Sequence, residues 1–206
     1  MNNISTIIFD YGCVISLPQD KNALVELMGR LGLDDAGIYR ELYLLYRDEI
    51  DSGIITASQY WEKTTAQLGI SLSPGNADEL ASIDIHSWTK INPQTVDLVE
   101  KLSIAGNKLA ILSNMTHETL AVLQRDEHWL AFFQHRFFSC HLGMVKPDAR
   151  IYKHCLSEMK VQPGECIFID DSYANCQAAA ELGIHSIHFN GLDNLKMALT
   201  TAGIQY

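Results

Sequence analysis

The sequence predicts an α/β fold: a doubly wound, Rossmann-like parallel sheet with an inserted α-helical cap. Three short apolar segments, 7–9, 108–112 and 166–169, run directly into polar residues, which is typical of strands buried on both faces of a parallel sheet. From Pro93 onward such strands alternate with helical segments, as in repeated β-α-β units. The region before it, residues 18–88, shows helical periodicity and no strand alternation, so a helical insertion is expected there.

The inserted region carries four predicted helices, at residues 20–31, 35–51, 56–69 and 76–83. In the second of them an apolar stripe of tyrosines lies on one side, Tyr39, Tyr43 and Tyr46. This stripe predicts the core of a small bundle rather than a surface for substrate. We therefore expect residues 17–89 to form a cap domain, inserted into a core domain made of residues 1–16 and 90–206.

The remainder of the core is predicted as alternating helices and strands. Helices are expected at residues 94–105, 116–128, 147–159, 174–182 and 193–202, and strands at 108–112, 137–138, 166–169 and 184–189. Gly106 is a helix stop in this pattern, and Pro147 with Asp148 suits the first turn of a helix. The loop 143–147, which contains Lys146, follows the short strand 137–138 and can reach the carboxyl edge of the sheet.

Composition limits the class of partner. The chain has 25 Asp and Glu against 15 Lys and Arg, a formal net charge of −10, which would repel nucleic acid and anionic membranes. No apolar run approaches the roughly 20 residues that span a bilayer, and no basic and apolar leader begins the sequence. Five cysteines without a CxxC pattern indicate reduced thiols. We expect a cytoplasmic protein with a small-molecule partner, and the pattern makes no prediction of oligomeric state.

Reactive side chains follow the most apolar strands. The set consists of Asp10, the pair Ser113 and Asn114, the pair Asp170 and Asp171, and Lys146 from the following loop. The carboxyl ends of parallel strands share one edge of the sheet, so these groups are expected to converge. Clustered carboxylates repel one another unless a cation offsets them, and Mg²⁺ characteristically takes a few carboxylates with waters and a phosphate. An aspartate beside such an ion can attack phosphorus and form an aspartyl-phosphate.

The ordered set Asp10-x-Gly12, Ser113-Asn114, Lys146-Pro147 and Asp170-Asp171 resembles the four motifs of the haloacid dehalogenase (HAD) superfamily. The place of the helical insertion, just after the first motif, resembles the C1 class of caps. The resemblance implies that Asp10 is the nucleophile, that Ser113 binds phosphate oxygens and that Lys146 stabilises the nucleophile and the phosphoryl group.

The same resemblance implies a Mg²⁺ site. Its ligands would be Asp10, the Gly12 carbonyl and Asp171, with Asp170 either binding the ion or standing directly beside it. Substrate contacts are expected from Ser113, Asn114, Gly12 and Tyr11, and Tyr11 is expected to face the cap near the leaving group. Asn175, one helical turn after the acidic pair, is a candidate to orient those carboxylates. In the cap, Arg47 and Lys63 are candidate anion contacts, with a solvated surface position as the alternative. Trp88 is a candidate to close over a ring, with packing of the hinge as the alternative.

The sequence departs from the commonest family pattern at Gly12, where many HAD phosphatases have a second aspartate as general acid. Losing a general acid typically costs about 10²–10⁴-fold in rate. One hypothesis is therefore a Mg²⁺-dependent phosphatase whose leaving group needs little protonation, such as the anomeric hydroxyl of a sugar 1-phosphate. Segments 9–15, 112–114, 142–152 and 168–171 resemble a subgroup with glycine at this position, the bacterial α-D-glucose-1-phosphate phosphatases and the N-terminal domain of soluble epoxide hydrolases.

Two alternatives remain open at this stage. One is a 2-haloacid dehalogenase, in which Asp10 would attack carbon without a metal; the acidic pair Asp170 and Asp171 argues against it, because it would place negative charge beside a carboxylate substrate. The other is a HAD-fold binding protein with little or no turnover, since a fold alone does not establish chemistry. The presence of the nucleophile, the lysine and the acidic pair favours an enzyme.

Overall fold

The computed structural model describes residues 4–125 and 128–206 of the chain. Five strands form its sheet: β1 (Thr6–Phe9), β2 (Lys108–Ser113), β3 (His135–Phe138), β4 (Cys166–Asp170) and β5 (His185–His188). They are hydrogen-bonded in the order β3-β2-β1-β4-β5, and every neighbouring pair is parallel. The predicted α/β class is confirmed, and the strand order reverses at β1, which places a crevice at the carboxyl end of that strand.

The central strands are apolar because both of their faces are covered. Along β1 and its neighbours, alternate side chains enter two separate hydrophobic clusters. Phe9 and Ile111 belong to one cluster, whereas Ile8, Ala110 and Phe168 belong to the other. The β1 residues are all buried. Burial on both faces explains why the strands could be recognised as continuous apolar runs without polar alternation.

Five helices follow β1 along the chain, between residues 21 and 87. They are α1 (Lys21–Leu31), α2 (Ala36–Leu44), α3 (Arg47–Asp51), α4 (Ala57–Ala66) and α5 (Asn76–Ser87). Local sequence sets their ends: the Asp20 side chain caps α1, and Thr56 with Gln59 forms a capping box at α4. These helices bury a hydrophobic cluster of their own around Tyr60 and Trp61.

The single helix predicted for residues 35–51 is wrong, because the chain breaks between α2 and α3. Tyr46 has φ −127° and ψ 22°, outside the helical region. The Tyr60 hydroxyl donates to the Tyr43 carbonyl at 2.5 Å, and that carbonyl would otherwise accept from the backbone amide of residue 47. A contact from another helix therefore ends α2, which local helical periodicity does not reveal.

The chain leaves and re-enters the sheet domain at adjacent points. Ser16 and Ile91 form an antiparallel bridge. It is flanked by backbone hydrogen bonds from Leu17 N to Lys90 O at 2.7 Å and from Asn92 N to Ile15 O at 2.8 Å. On these observations we propose the boundaries 17–89 for the cap, and residues 1–16 with 90–206 for the core; residues 1–3 of that range lie outside the described part.

Six helices complete the core: α6 (Pro93–Ile104), α7 (His117–Leu123), α8 (Ser139–Leu142), α9 (Ala149–Met159), α10 (Tyr173–Glu181) and α11 (Leu192–Thr201). The helix expected to reach His128 ends at Leu123, and Asp126 and Glu127 lie outside the described residues. Within the described ranges, each helix is too short or too polar to cross a membrane.

Candidate active site

The carboxyl ends of β1, β2 and β4 bring the predicted reactive residues to one place. Phe9 is in register with Ile111 of β2 and with Ile169 of β4. Asp10 therefore stands level with Asp170, the last residue of β4, and Ser113 lies two positions after Ile111, at the end of β2. The sheet register alone, rather than any local motif, unites residues that are distant in sequence.

Asp10 is buried at the base of this crevice. Its backbone amide donates to Ile169 O at 2.8 Å, which continues the β1–β4 ladder. Its Oδ1 accepts a hydrogen bond from the Tyr11 amide at 2.7 Å and pairs with Lys146 Nζ at 2.7 Å. Burial raises the pKa of Asp10 to about 7, although the nearby ammonium of Lys146 opposes the shift. The Oδ1 atom is thus fixed by two donors, and the carboxylate is held in one orientation.

The turn after Asp10 is tight, but its left-handed residue is Cys13, with φ 55°. The φ of Gly12 lies outside the left-handed region, so the backbone at this position does not require glycine. A Cβ added to Gly12 would meet Asp10 Oδ2 at 3.9 Å, which is ordinary contact. The position would accommodate a side chain, so sterics does not account for the missing second aspartate.

Lys146 lies between the two carboxylates of the motif. Its Nζ is 2.7 Å from Asp10 Oδ1 and 2.6 Å from Asp170 Oδ2, and it donates to Leu112 O at 3.1 Å. Its side chain is only 1% exposed. Burial alone would lower the pKa of Lys146, but Asp10 and Asp170 hold it above its ordinary value. The lysine is therefore an ammonium whose charge is shared by two carboxylates.

Asn114 fixes the loop that carries this lysine. Its Nδ2 donates to Lys146 O at 2.9 Å, and its Oδ1 accepts from Lys146 N at 2.8 Å. Both ends of the amide are engaged, so the side chain fixes the backbone of Lys146. The neighbouring Ser113 is buried and lines the crevice, and its Oγ makes a 3.3 Å hydrogen bond to Asn114 O.

The two consecutive aspartates have different surroundings. Asp170 is 0% exposed; its oxygens accept from Lys146, from the Ser172 amide at 2.8 Å and from Asn175 Nδ2 at 3.1 Å each. Asp171 lines the cavity instead, and burial together with the Asp170 charge raises the pKa of its carboxyl. Asp170 therefore holds the lysine, and Asp171 is the member of the pair that faces the cavity.

The crevice continues into a cavity of about 530 Å³ between the sheet edge and the cap helices. The core side is lined by Asp10, Tyr11, Gly12, Ser113, Asn114, Lys146, Asp171 and Asn175, and the cap side mainly by Arg40, Tyr43, Arg47, Asp48, Asp51 and Trp88. Lys63 lies elsewhere, paired with Glu49 at 2.6 Å. The predicted site residues thus meet in one cavity, except for Asp170, which stands directly behind its wall.

A polar cluster on the cap side surrounds Arg47, which the sequence indicates as a candidate anion contact without revealing its partners. Arg47 pairs with Asp51 at 2.8 Å and with Asp84 at 3.5 Å, and it donates to the Tyr43 hydroxyl at 3.1 Å. Burial favours the neutral guanidine, but the two carboxylates hold the pKa of Arg47 above its usual value. The sequence signal was available in part, because Tyr43, Arg47 and Asp51 are spaced four apart, as on one face of the helix predicted there. The approach of Asp84 from α5 required the tertiary structure.

Tyr11 and Trp88 connect the sheet edge with the end of the cap. The Tyr11 hydroxyl donates to the Trp88 carbonyl at 2.7 Å, and its ring packs on Trp129 with the ring centroids 5.5 Å apart. The indole nitrogen of Trp88 donates to the Tyr43 hydroxyl at 3.1 Å. The residue after Asp10 is therefore joined, through Trp88, to the polar cluster of the cap, and its hydroxyl is engaged by protein.

The carboxylates fit a hard divalent cation. Asp10, Asp170 and Asp171 each offer an oxygen within 4.8 Å of the others. With the single charge of Lys146 among them, the group keeps an excess of negative charge. Carboxylate oxygens with room for waters and a phosphate are the donors that Mg²⁺ prefers. The oxygens of Asp170 are already engaged by protein donors, so Asp10 and Asp171 are the side chains best placed to bind the ion.

Comparison with known proteins agrees with the fold. A family model described as haloacid dehalogenase-like hydrolase matches residues 22–183. The solved structure of HAD family enzyme bt-2542 from Bacteroides thetaiotaomicron, a complex with magnesium and inorganic phosphate, is similar with a TM-score of 0.71 and 22% identity, covering 89% of this chain and 93% of that one.

Curated relatives match over shorter segments. Mouse acyl-CoA dehydrogenase family member 10 is 36% identical over 103 residues, 48% of this chain and 9% of that protein. Flavin mononucleotide hydrolase 1 of Arabidopsis thaliana is 36% identical over 74 residues, 36% of this chain and 30% of that protein. The (S)-2-haloacid dehalogenase 4A of Burkholderia cepacia is 28% identical over 142 residues, 66% of this chain and 62% of that protein. The chain thus spans less than two thirds of each of these relatives.

Proposed function

The chain belongs to the haloacid dehalogenase-like hydrolase family, and we propose that it is a Mg²⁺-dependent phosphatase acting on a small phosphorylated metabolite. The observation that carries this proposal is the placement of Asp10: a buried carboxylate, oriented by Lys146 and a backbone amide, at the base of a cavity that Ser113 and Asp171 also line. The nucleophile Asp10, the fixed cation Lys146 and the polar side chains of Ser113 and Asp171 therefore meet at one cavity.

In the proposed reaction, an oxygen of Asp10 attacks the phosphorus and the bond from phosphorus to the leaving oxygen breaks. The product is an aspartyl-phosphate, and water then attacks its phosphorus, releasing inorganic phosphate and restoring the carboxylate. Lys146 faces Asp10 from 2.7 Å, so its charge offsets the negative charge brought in by the phosphoryl group. Ser113 is placed to hydrogen-bond a phosphoryl oxygen.

We propose that Asp10, Asp171 and the Gly12 carbonyl hold Mg²⁺. When bound, the ion would offset the combined negative charge of the carboxylates and the phosphate. Asp170 is assigned a different task, because its oxygens are engaged by Lys146, Ser172 and Asn175. It holds the lysine in place and keeps it charged, while Asn175 fixes the orientation of Asp170.

The missing acid at Gly12 supports a substrate with an acidic leaving group. The anomeric hydroxyl of a sugar 1-phosphate is more acidic than an ordinary alcohol and departs with less need of a proton. The cap supports a substrate that is uncharged apart from its phosphate, because the positive charge of Arg47 is already balanced by Asp51 and Asp84. Such a wall offers hydrogen bonds without excess positive charge for a second anionic group. We therefore propose a sugar phosphate, such as a sugar 1-phosphate, as the substrate class.

The test is phosphate release from a panel of phosphomonoesters, with Mg²⁺ and with EDTA, by the wild-type chain and by Asp10→Asn. We expect turnover that requires Mg²⁺, favours sugar 1-phosphates over alkyl phosphates and disappears in the variant. Asp148→Asn is the matched control, since Asp148 is a carboxylate paired with Arg150 at the surface. Folded protein that releases no phosphate from any ester in Mg²⁺ would contradict the proposal.

Dehalogenation is the second candidate, because an (S)-2-haloacid dehalogenase is among the relatives. In that reaction Asp10 would attack carbon and expel halide. The placement of Asp171 in the cavity wall, with Asp170 behind it, argues against this reaction, since a 2-haloacid would bring a further carboxylate to an acidic site. Halide release from 2-chloropropionate in EDTA would favour the dehalogenase.

We also propose that the cap, residues 17–89, closes over bound substrate and excludes water, with hinges near residues 15–18 and 89–93. The hydrogen bond from the Tyr11 hydroxyl to the Trp88 carbonyl joins core and cap, so a change in this bond would indicate closure.

We propose that the protein is cytoplasmic. The free cysteines Cys13, Cys140, Cys155, Cys166 and Cys176 support a reducing compartment.

A further inference from the structure

A second group of potential ligands lies outside the catalytic cavity. It consists of His117, at the start of α7, and of Cys140 and His141, which are adjacent in α8. One ligand atom of each lies within 4.8 Å of the others. The imidazole rings of His117 and His141 have centroids 5.5 Å apart. None of these side chains contributes to the chemistry proposed above.

The donor types differ from those of the carboxylate site. Two imidazoles and a thiol are borderline-soft ligands, which suit Zn²⁺ and related transition ions rather than Mg²⁺. Cys140 is buried, whereas both histidines are exposed, so the group is open to solvent on one side. Burial raises the pKa of the Cys140 thiol to about 11, so the thiol carries its proton until a metal displaces it.

The surroundings of the group are acidic. The charges of Asp51 and Glu118 both act on the Cys140 thiol. The Glu118 carboxylate accepts from the backbone amide of Ala57 at 2.9 Å. Their negative charges disfavour an unpaired thiolate at Cys140 and, for the same reason, would favour a bound cation beside it.

The group also lies at a contact between cap and core. A Cβ added to Gly53, in the loop between α3 and α4, would be 2.6 Å from His117 Nε2 and 2.7 Å from the Cys140 carbonyl. One residue before Cys140, the Ser139 hydroxyl donates to the Asp51 carbonyl at 2.5 Å. The cap segment 51–57 therefore rests against the elements that carry the three ligands.

We propose that His117, Cys140 and His141 form a second metal site, for a divalent ion of the Zn²⁺ class, and that loading this site changes how the cap rests on the core. Three protein ligands would leave one position for water. Bonds of about 2.0–2.3 Å would fix the positions of the three donor atoms, which lie within 4.8 Å of one another. Since His117 Nε2 would be only 2.6 Å from a Cβ at Gly53, fixing the ring on a metal constrains segment 51–57, next to α3, which lines the cavity.

The test begins with binding to the whole protein in excess Mg²⁺, which occupies the carboxylate site. We expect one Zn²⁺ per chain to be retained on dialysis, and Co²⁺ in its place to give the charge-transfer absorption of a thiolate ligand. Cys140→Ser should lose that absorption. Because Cys140 is buried and its variant could fail to fold, His141→Asn is the second variant, and we expect at least about a tenfold weaker affinity for Zn²⁺, or 1.4 kcal/mol. His86→Asn, an exposed histidine of α5, is the matched control and should bind as the wild type does.

Turnover separates this site from simple replacement of Mg²⁺. Zn²⁺ in excess Mg²⁺ should lower phosphate release by the wild type and by His86→Asn, and should leave His141→Asn largely unaffected. Equal inhibition of all three proteins, loss of Zn²⁺ to competing Mg²⁺, or Co²⁺ binding without thiolate absorption would overturn the proposal. The binding measurements need no phosphatase activity, so they remain decisive even if the proposed function is wrong.

Discussion

A substitution of Lys146 by methionine keeps the length of the side chain and removes its charge. In the wild type, the Nζ atom lies 2.7 Å from Asp10 and 2.6 Å from Asp170, with the lysine side chain 1% exposed. The variant therefore leaves two buried carboxylates without their cation. Removing one partner of a buried ion pair costs about 3–5 kcal/mol, and we expect a loss of this size in the free energy of unfolding.

The matched control is Lys63→Met. Lys63 is also 2.6 Å from its carboxylate partner, Glu49, but the two side chains are 40% and 37% exposed. Solvent screening limits an exposed pair to about 1 kcal/mol or less. Both variants lose one ammonium at the same N–O distance, so the difference between them isolates the effect of burial.

The assay is urea denaturation of both variants and the wild type in EDTA, followed by circular dichroism at several pH values. Burial raises the pKa of Asp10, and losing Lys146 removes the cation that opposes this shift. The folded variant then binds more protons than the unfolded chain, so its unfolding free energy rises relative to the wild type as pH falls from about 8 to about 6. Equal losses for the two variants, or a Lys146→Met deficit that grows on acidification, would refute the reasoning.

Three further predictions follow from the site and its supports. Asn175→Ala removes both hydrogen bonds to Asp170; we expect kcat to fall about tenfold with little change in KM, and an unchanged kcat would contradict the positioning role. Gly53→Ala should lower the free energy of unfolding by about 1–3 kcal/mol more than Gly69→Ala. Both glycines have positive φ, but an added Cβ meets atoms at 2.6 Å only at Gly53, and equal losses in urea denaturation would show that this contact relaxes freely. Gly12→Asp places a carboxyl where a general acid is missing; we expect faster turnover of alkyl phosphates, by up to about 10²-fold, and no gain on p-nitrophenyl phosphate, whose leaving group needs no proton. Similar gains on both esters, or a gain from Gly12→Asn, would contradict that explanation.

The parts of the fold that the sequence predicts are those fixed by burial. Continuous apolar runs identify β1, β2 and β4, because both faces of a central parallel strand are covered. The convergence of Asp10, Ser113 and the acidic pair then follows from topology, since the carboxyl ends of such strands share one edge; Lys146 joins them from the loop after α8. Local sequence also predicts the starts of cap helices that have clear N-capping residues, such as Asp20 at α1 and the capping box of Thr56 at α4.

The features that could not be predicted depend on contacts between distant residues. The break after α2 follows from the hydrogen bond that the Tyr60 hydroxyl donates to the Tyr43 carbonyl. The positive charge of Arg47 is balanced in part by Asp84, which comes from another helix. Asn114 stays a predicted substrate contact, but its two hydrogen bonds to the Lys146 backbone could not be predicted from the sequence. In each case a polar group had several possible partners, and only the folded arrangement selects one.

The antiparallel bridge between Ser16 and Ile91 has a consequence for how the protein can change. Because the chain departs from and returns to the sheet at neighbouring points, the whole cap occupies the place of a hairpin turn. Closing a longer loop costs only about 0.6 kcal/mol for each doubling of its length, and the cap has a hydrophobic cluster of its own. We therefore expect the insertion to be exchangeable for a cap of another size or for a short turn, while the strand ends that carry Asp10 and Ser113 keep their register.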